Sequence, residues 1–267
     1  MTEPLSMNPG TATGLKPVAF DSWLEHFRNN PAHQKEIESL IEWNQPSSLD
    51  GPTRRAFVRS FQRFELGESG DGKRLLAKAA LEGDATYLAA LELLVHEEQK
   101  HSALFRRGLD RLEAPSLEAH WSDAVFTVLR RTLGLRTELG LFLIAESVAM
   151  GYFTALAERA PDPVLRGIGR RIATDEQDHI RFQIDRLHQG FRDTPRAGRM
   201  LIGLGWGVIA GGAAAVLAVD HGPALRACGL SPARYWRQAM GEFRRAARLV
   251  LANPGAEPLG PLAKDVR

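Results

Sequence analysis

One internal repeat constrains this chain more than any other feature. At an offset of 78 residues, Glu68-Ser69 matches Glu146-Ser147, Asp84 matches Asp162, Glu98 matches Glu176 and His101 matches His179. Ala77 and Ala79 likewise match Ala155 and Ala157. Each half therefore reads as a lone glutamate, a spacing of thirty residues, and then Glu-x-x-His. The period is far longer than that of a solenoid repeat, and each unit is long enough for two helices. Two helical hairpins that each hide an apolar face assemble most simply as a four-helix bundle.

The local pattern agrees with an all-α class, because helical spacing recurs after Asp21 and no segment alternates apolar and polar residues between hairpin turns. Two short helices are expected over 21–44, with Asp21 and Asn30 as N-caps and Pro31 in the first turn of the second. A helix from Pro52 to about Leu81 follows, weakened by Gly67, Gly70 and Gly72. Further helices are expected over 84–112, from the Ser122-Asp123 cap to Gly134, over 135–160, and from the Asp162-Pro163 start to Phe191. This divides the chain into a flexible tail (1–20), N-terminal helices packed on the bundle (21–51), the bundle (52–194), an apolar helix followed by an amphipathic one (195–253), and a second tail (254–267).

Composition excludes several functions. The 34 Lys and Arg nearly balance 32 Asp and Glu without forming a basic block, so a nucleic-acid partner is not expected. Cys228 is the single cysteine, which excludes an internal disulfide and thiolate metal sites and suits a reducing cytoplasm. Residues 1–20 lack the basic start and apolar run of a secretory signal, so a cytoplasmic location is expected.

Glu-x-x-His puts a carboxylate and an imidazole on one face of a helix, where both can address the same ion. One copy is weak evidence, but this chain has two, each preceded at equal distance by a glutamate. Apolar stripes surround them: Tyr87, Leu91, Leu94 and Phe105 flank Glu98 and His101, while Leu139, Phe142, Leu143 and Phe153 flank Glu146. Four carboxylates buried together need compensating positive charge, since isolated buried ions cost several kcal/mol each. A pair of cations supplies it. The expected metal ligands are Glu68, Glu98, His101, Glu146, Glu176 and His179, with Glu97 and Asp175 as candidates to hold the far nitrogen of the opposite histidine. Oxygen-rich donors with two imidazoles favour iron or manganese over structural zinc.

Through E68…E98-Q-K-H101 and E146…E176-Q-D-H179 the sequence resembles the ferritin-like superfamily of di-iron carboxylate proteins over residues 52–191. The resemblance implies two iron ions, or a manganese and an iron, with Glu68 and Glu146 as single-carboxylate ligands and Glu98 and Glu176 as bridges. The segment LIAESVAMGYFTALAERAPDPVLRGIGRRIATDEQDHIRF looks like the bacterial aldehyde-deformylating oxygenases, and HWSDAVFTVLRR is similar to a group of uncharacterised bacterial ferritin-like proteins. This implies an oxidoreductase that activates dioxygen at a di-iron centre, without selecting a substrate. The sequence shows no flavin or nicotinamide site, so an external electron donor is expected, and Leu, Phe and Met beside the ligands point to a small, apolar organic substrate. A homodimer is the expected assembly. Iron storage with ferroxidase activity is the rival expectation, and a metal-free helical scaffold a third.

Other features are weaker. Glu65 lies one turn before Glu68 and is the alternative first ligand. The stretch 67–74 nearly fits a phosphate-binding loop, but Arg74 replaces the required Ser or Thr. Tyr87 and Tyr152 read as core aromatics rather than redox participants, and His96 and His120 as surface or cap residues. Residues 200–219 carry no charge over twenty positions, yet half are Gly or Ala. They are expected to form a helix buried against the bundle, the alternative being a membrane span flanked by Arg192, Arg196 and Arg199.

Overall fold

Asp50, Asp84, Asp162 and Ser231 each accept a hydrogen bond from a backbone N–H in the first turn of the helix that follows. These caps satisfy donors that the start of a helix leaves unpaired, and proline stands at the first or second position of three of those helices. The computed structural model describes residues 20–120, 134–252 and 256–262. In chain order these form α1 (Asp21–Ser39), α2 (Gly51–Glu68), α3 (Lys73–Ala80), α4 (Ala85–Arg111), α5 (Leu135–Arg159), α6 (Pro163–Gly190), α7 (Arg196–Asp220), α8 (Gly222–Ala227) and α9 (Pro232–Val250). No strand occurs among the described residues. The protein is an all-α helical bundle.

The most extensive contact is between α5 and α6, and α2 packs chiefly on α4. The two pairs meet through α4 and α6, the helices that carry the Glu-x-x-His motifs. Helix α1 lies across α4 and α6, while α7 and α9 cover α5 from the other side. Close approach of α5 and α6 depends on Gly169, where a Cβ would stand 2.6 Å from the backbone nitrogen of Ala157. Backbone cannot yield there as a side-chain tip can.

Four expectations need correction. The N-terminal segment is one helix rather than two: Pro31 lies inside α1, and Asn30 is buried in the helix rather than capping a second one. Losing one intrahelical hydrogen bond to proline is outweighed by the tertiary contacts of Trp23, Phe27, Asn30 and Gln34, which form the buried face. The helix expected over 52–81 breaks at 69–72. Gly72 adopts φ 63° there, and a Cβ on it would meet the Val95 side chain at 2.7 Å. Residues 256–262 are not a loose tail: Leu259 and Gly260 donate backbone N–H bonds to Asp185, and Leu262 donates to Asp178. Burial of 200–219 holds for one face only, since Trp206, Ala210, Ala214 and Ala218 are buried while Met200, Leu201, Leu204 and Val208 are exposed. By length and composition both α5 and α7 are able to cross a membrane, but α5 is a core helix. The helix expected to end at Gly134, the 1–19 part of the N-terminal tail and residues 263–267 lie outside the described residues.

Gly169→Ala is expected to lower unfolding free energy by about 2 kcal/mol, because the added carbon collides with backbone at the tightest helix pair. Gly241→Ala, exposed on α9 with nothing within 4 Å of the new carbon, is expected to be neutral or stabilising by up to about 1 kcal/mol. Urea unfolding monitored by circular dichroism measures both.

Candidate metal centre

Each motif glutamate and histidine sits in the middle or second half of a long, well-capped helix, where the backbone is fully hydrogen-bonded and the side chain is fixed by packing. Glu98 and His101 project from α4, Glu176 and His179 from α6, and one ligand atom from each of the four falls within 4.8 Å of the others. The imidazole rings stand 5.5 Å apart and both histidines are fully buried. His179 Nδ1 approaches Glu98 Oε1 to 2.6 Å, and His101 Nδ1 approaches Glu176 Oε1 to 3.4 Å, neither with hydrogen-bond alignment. Glu68, the last residue of α2, and Glu146, mid-way along α5, flank this group and line the same cavity as Glu98 and Glu176. Glu65 is turned elsewhere: Ser116 donates to it and Arg106 lies 3.7 Å away, so Glu68 is the residue that faces the cluster.

The far nitrogens are held crosswise. His101 Nε2 donates to Asp175 Oδ2 at 3.1 Å and His179 Nε2 donates to Glu97 Oε2 at 3.0 Å, so each motif's preceding acid orients the histidine of the other motif. This fixes the tautomer and points both Nδ1 atoms inward. The outer acids are themselves held by residues that the sequence pattern did not single out. Asn30 donates to Glu97 at 2.7 Å, Gln34 donates to Asp175 at 3.1 Å, and Lys100 donates to Gln34 at 2.7 Å. Arg171, fully buried, bridges Asp175 and Glu38. Gln183 donates to Glu146 Oε1. One signal in the sequence pointed to the α1 pair: Trp23, Phe27, Asn30 and Gln34 follow helical spacing, so the buried stripe continues into two amides.

Charge is unevenly shared in this cluster. Burial, followed by the charge of Glu98, holds the Glu68 carboxyl well above the ordinary carboxylate range, and burial with the charges of Glu176 and Glu98 does the same to Glu146. Glu176 is raised by burial and by Glu98. Glu98 goes the opposite way: burial disfavours its charge, but the His179 charge and the close approach of both imidazoles keep it well below that range. Both histidines are driven up despite burial, His101 chiefly by its hydrogen bond to Asp175 and the adjoining Glu176 carboxylate, and His179 by the Glu98 charge and its bond to Glu97. Asp175 is held low against burial by the His101 hydrogen bond and by His101 and Arg171 charge. Protons on the histidines are what neutralise the acids when no other cation does.

The donor set fits a metal ion. Glu98 Oε1, Glu146 Oε2, Glu176 Oε2 and both inward Nδ1 atoms are buried with no hydrogen-bond partner, five atoms that a cation would satisfy together. A buried Glu and His cluster able to hold metal is therefore present. Beside it lies a cavity of about 450 Å³, walled mainly by Leu91, Leu94, Leu139, Phe142 and Phe153, with all four central glutamates at its floor. The α2–α3 break borders it through Gly67, Gly70 and Gly72, and α7 closes another side. At the polar end, His221 Nδ1 lies 2.7 Å from Ser60 Oγ, which is also bonded to the Tyr152 hydroxyl at 2.6 Å. Burial, with the nearby Arg63 charge, pushes His221 down to about 3. Tyr152 belongs to an aromatic group with Phe64 and Phe153, while Tyr87 stacks on Phe182 away from the cavity. Residues 67–74 form a helix end, a turn and a helix start, and His120 lies 3.2 Å from Arg63 Nε. Comparison of the chain with protein families, curated proteins and solved structures finds no match.

Asp175→Ala removes the acceptor for His101 and for Gln34 and leaves Arg171 with Glu38 as its one carboxylate partner among the described residues. Iron affinity measured by chelator competition is expected to fall by roughly 10–100-fold. The neutral state of His221 carries its own pH dependence. Its stabilisation is complete above the ordinary histidine value of 6.5 and is lost as pH falls toward about 3, because the unfolded chain takes a proton that the folded chain refuses. His221→Asn is therefore expected to lose less melting temperature than the wild type between about pH 7 and about pH 5.

Proposed function

We propose that this protein is a non-haem di-iron oxidoreductase of the ferritin-like kind, acting with dioxygen on an apolar organic substrate. The observation that carries the reading is the meeting of four glutamates and two crosswise-held histidines at the floor of an apolar cavity. When bound, two iron ions supply redox electrons for the reduction of dioxygen. Everything else in the site is the work of the chain. Glu97 and Asp175 orient the imidazoles, so that Nδ1 of each is aimed inward as a ligand. Gln183 holds one oxygen of Glu146 and leaves the other directed at the centre.

The glutamates differ in a way that suits changing metal charge. Glu98, contacting both histidines, keeps its negative charge most firmly and, with Glu176, would hold the metal. Glu68 sits at a helix end beside a glycine-rich turn, whereas Glu146 lies mid-helix. Leucine and phenylalanine around the cavity favour an apolar substrate and exclude bulk water, which strengthens every charge interaction at the floor. A cavity of this volume accommodates a small organic molecule, which supports substrate oxidation over storage alone. Electrons are expected from an external donor.

Purified from iron-replete cells, the wild type is expected to carry about two iron ions per chain, with Glu146→Ala/His179→Ala losing them. Adding oxygen to the reduced, iron-loaded wild type is expected to consume oxygen and produce an iron absorption band that the double variant lacks. No bound metal, or binding indifferent to these residues, sinks the proposal. A large hollow particle by light scattering, filling with iron, moves the reading to storage.

A further inference from the structure

Helix α7 has two unlike faces. Arg199, Trp206, Ala210, Ala214 and Ala218 are buried toward α5 and α9, while Met200, Leu201, Leu204, Val208 and Val219 are 67–77% exposed. Exposed Leu201, Leu204, Val208, Gly212, Ala215 and Val219 recur every three or four positions, and no charge interrupts residues 200–219. At 1.5 Å per residue the stripe runs for about 28 Å. Single exposed leucines are ordinary, but a continuous stripe of this length marks a contact with something apolar.

The rim of the stripe says which contact. Beside it, α9 and the start of α7 form a groove of about 520 Å³ in which exposed Arg196, Arg244 and Arg248 border Met200, Gly203 and Phe243. Helix α9 carries five arginines and one acid, and that acid, Glu242, is paired with Arg245 at 3.0 Å. An apolar stripe edged by unmatched positive charge is complementary to a surface that is negative at its face and hydrocarbon beneath. A second copy of the chain offers no comparable acidic set on these two helices, whose exposed charges are overwhelmingly arginine.

We propose that the α7–α9 face docks on an anionic phospholipid surface. Helix α7 lies in the plane of that surface, with Met200, Leu201, Leu204 and Val208 below the headgroups and Arg196, Arg244 and Arg248 holding lipid phosphates. It does not span the bilayer, because its other face is committed to α5 and α9. The same helix walls the apolar cavity through Ile209, Ala213, Val216 and Leu217, and Ile209 is itself 43% exposed, so the docked face adjoins the cavity wall. Docking is independent of what the cavity holds.

The test is flotation of the full chain with vesicles of phosphatidylcholine alone and of phosphatidylcholine with about one-third phosphatidylglycerol. The wild type is expected to float with the anionic vesicles and to be released by high salt. Leu204→Glu/Val208→Glu and Arg244→Glu/Arg248→Glu are each expected to reduce the bound fraction roughly tenfold or more. Circular dichroism melting confirms that each variant is folded, and if the first pair fails to fold the arginine pair decides. Failure of the wild type to float, equal binding to neutral and anionic vesicles, or unchanged binding by the arginine pair overturns the proposal. So does a wild-type dimer that ignores vesicles and is split by Leu204→Glu/Val208→Glu, which would assign the face to a second copy.

Discussion

The structure is organised around one electrostatic problem, the burial of several carboxylates in an apolar bundle. Glu98, Glu146 and Glu176 have buried oxygens without partners at the floor of one cavity, and Glu68 adds a fourth carboxyl from the end of α2. Repulsion among them shows in the upward drive on Glu68, Glu146 and Glu176. Histidine partly answers it, because His101 and His179 sit among the acids and are driven toward their charged forms. A divalent cation answers it better, since it offers more charge and satisfies the orphaned oxygens and nitrogens at the same time. The site is thus expensive to leave as bare side chains and well suited to a metal ion.

Around that centre a second layer of charge is resolved within the protein itself. Asp175 is surrounded by His101, Arg171 and Gln34, and Glu97 by His179 and Asn30. Two of these partners come from α1, which lies outside the repeat, so the N-terminal helix is part of the site's support rather than decoration on it. The C-terminal segment repeats the device about one and nearly three turns further along α6, where its backbone N–H groups satisfy Asp178 and Asp185. Asp185 also accepts from Trp23 of α1, and Asp178 lies 3.3 Å from His26. Helix α6 is thereby fixed by polar contacts on its outer side and by metal-type ligands on its inner side. That combination restrains the position of His179 more closely than apolar packing alone, which tolerates sliding.

Legibility of the sequence depended on how local the determining interaction was. The helix start at Asp162-Pro163 could be read because the capping residue and the N–H groups it satisfies lie two or three positions apart. The six central residues could be read because helical spacing and repetition reveal a shared face without any knowledge of neighbours. Asn30 shows where this stops: beside Pro31 it has the local signature of a cap, but its buried amide reaches Glu97, sixty-seven positions away. Glu68 and Glu146 show a subtler limit. The repeat treats them as equivalent, yet one ends a helix and the other lies mid-helix, because Gly70 and Gly72 stand where the second half has helical residues. The broken half opens toward the cavity and the continuous half closes it.

By itself the sequence determined the class, the long helices and the residues that could share a centre, since periodicity and capping are properties of short stretches of chain. Only the tertiary structure decided the crosswise pairing of acids with histidines, the contribution of α1, the pinning of residues 256–262 and the exposure of one face of α7. Each of these depends on which surfaces meet. An uncharged helix is equally consistent with burial and with an apolar neighbour outside the molecule, and the choice between them rests on whether enough protein exists to cover it. Here α5 and α9 cover one face of α7, and no other described residue covers the second.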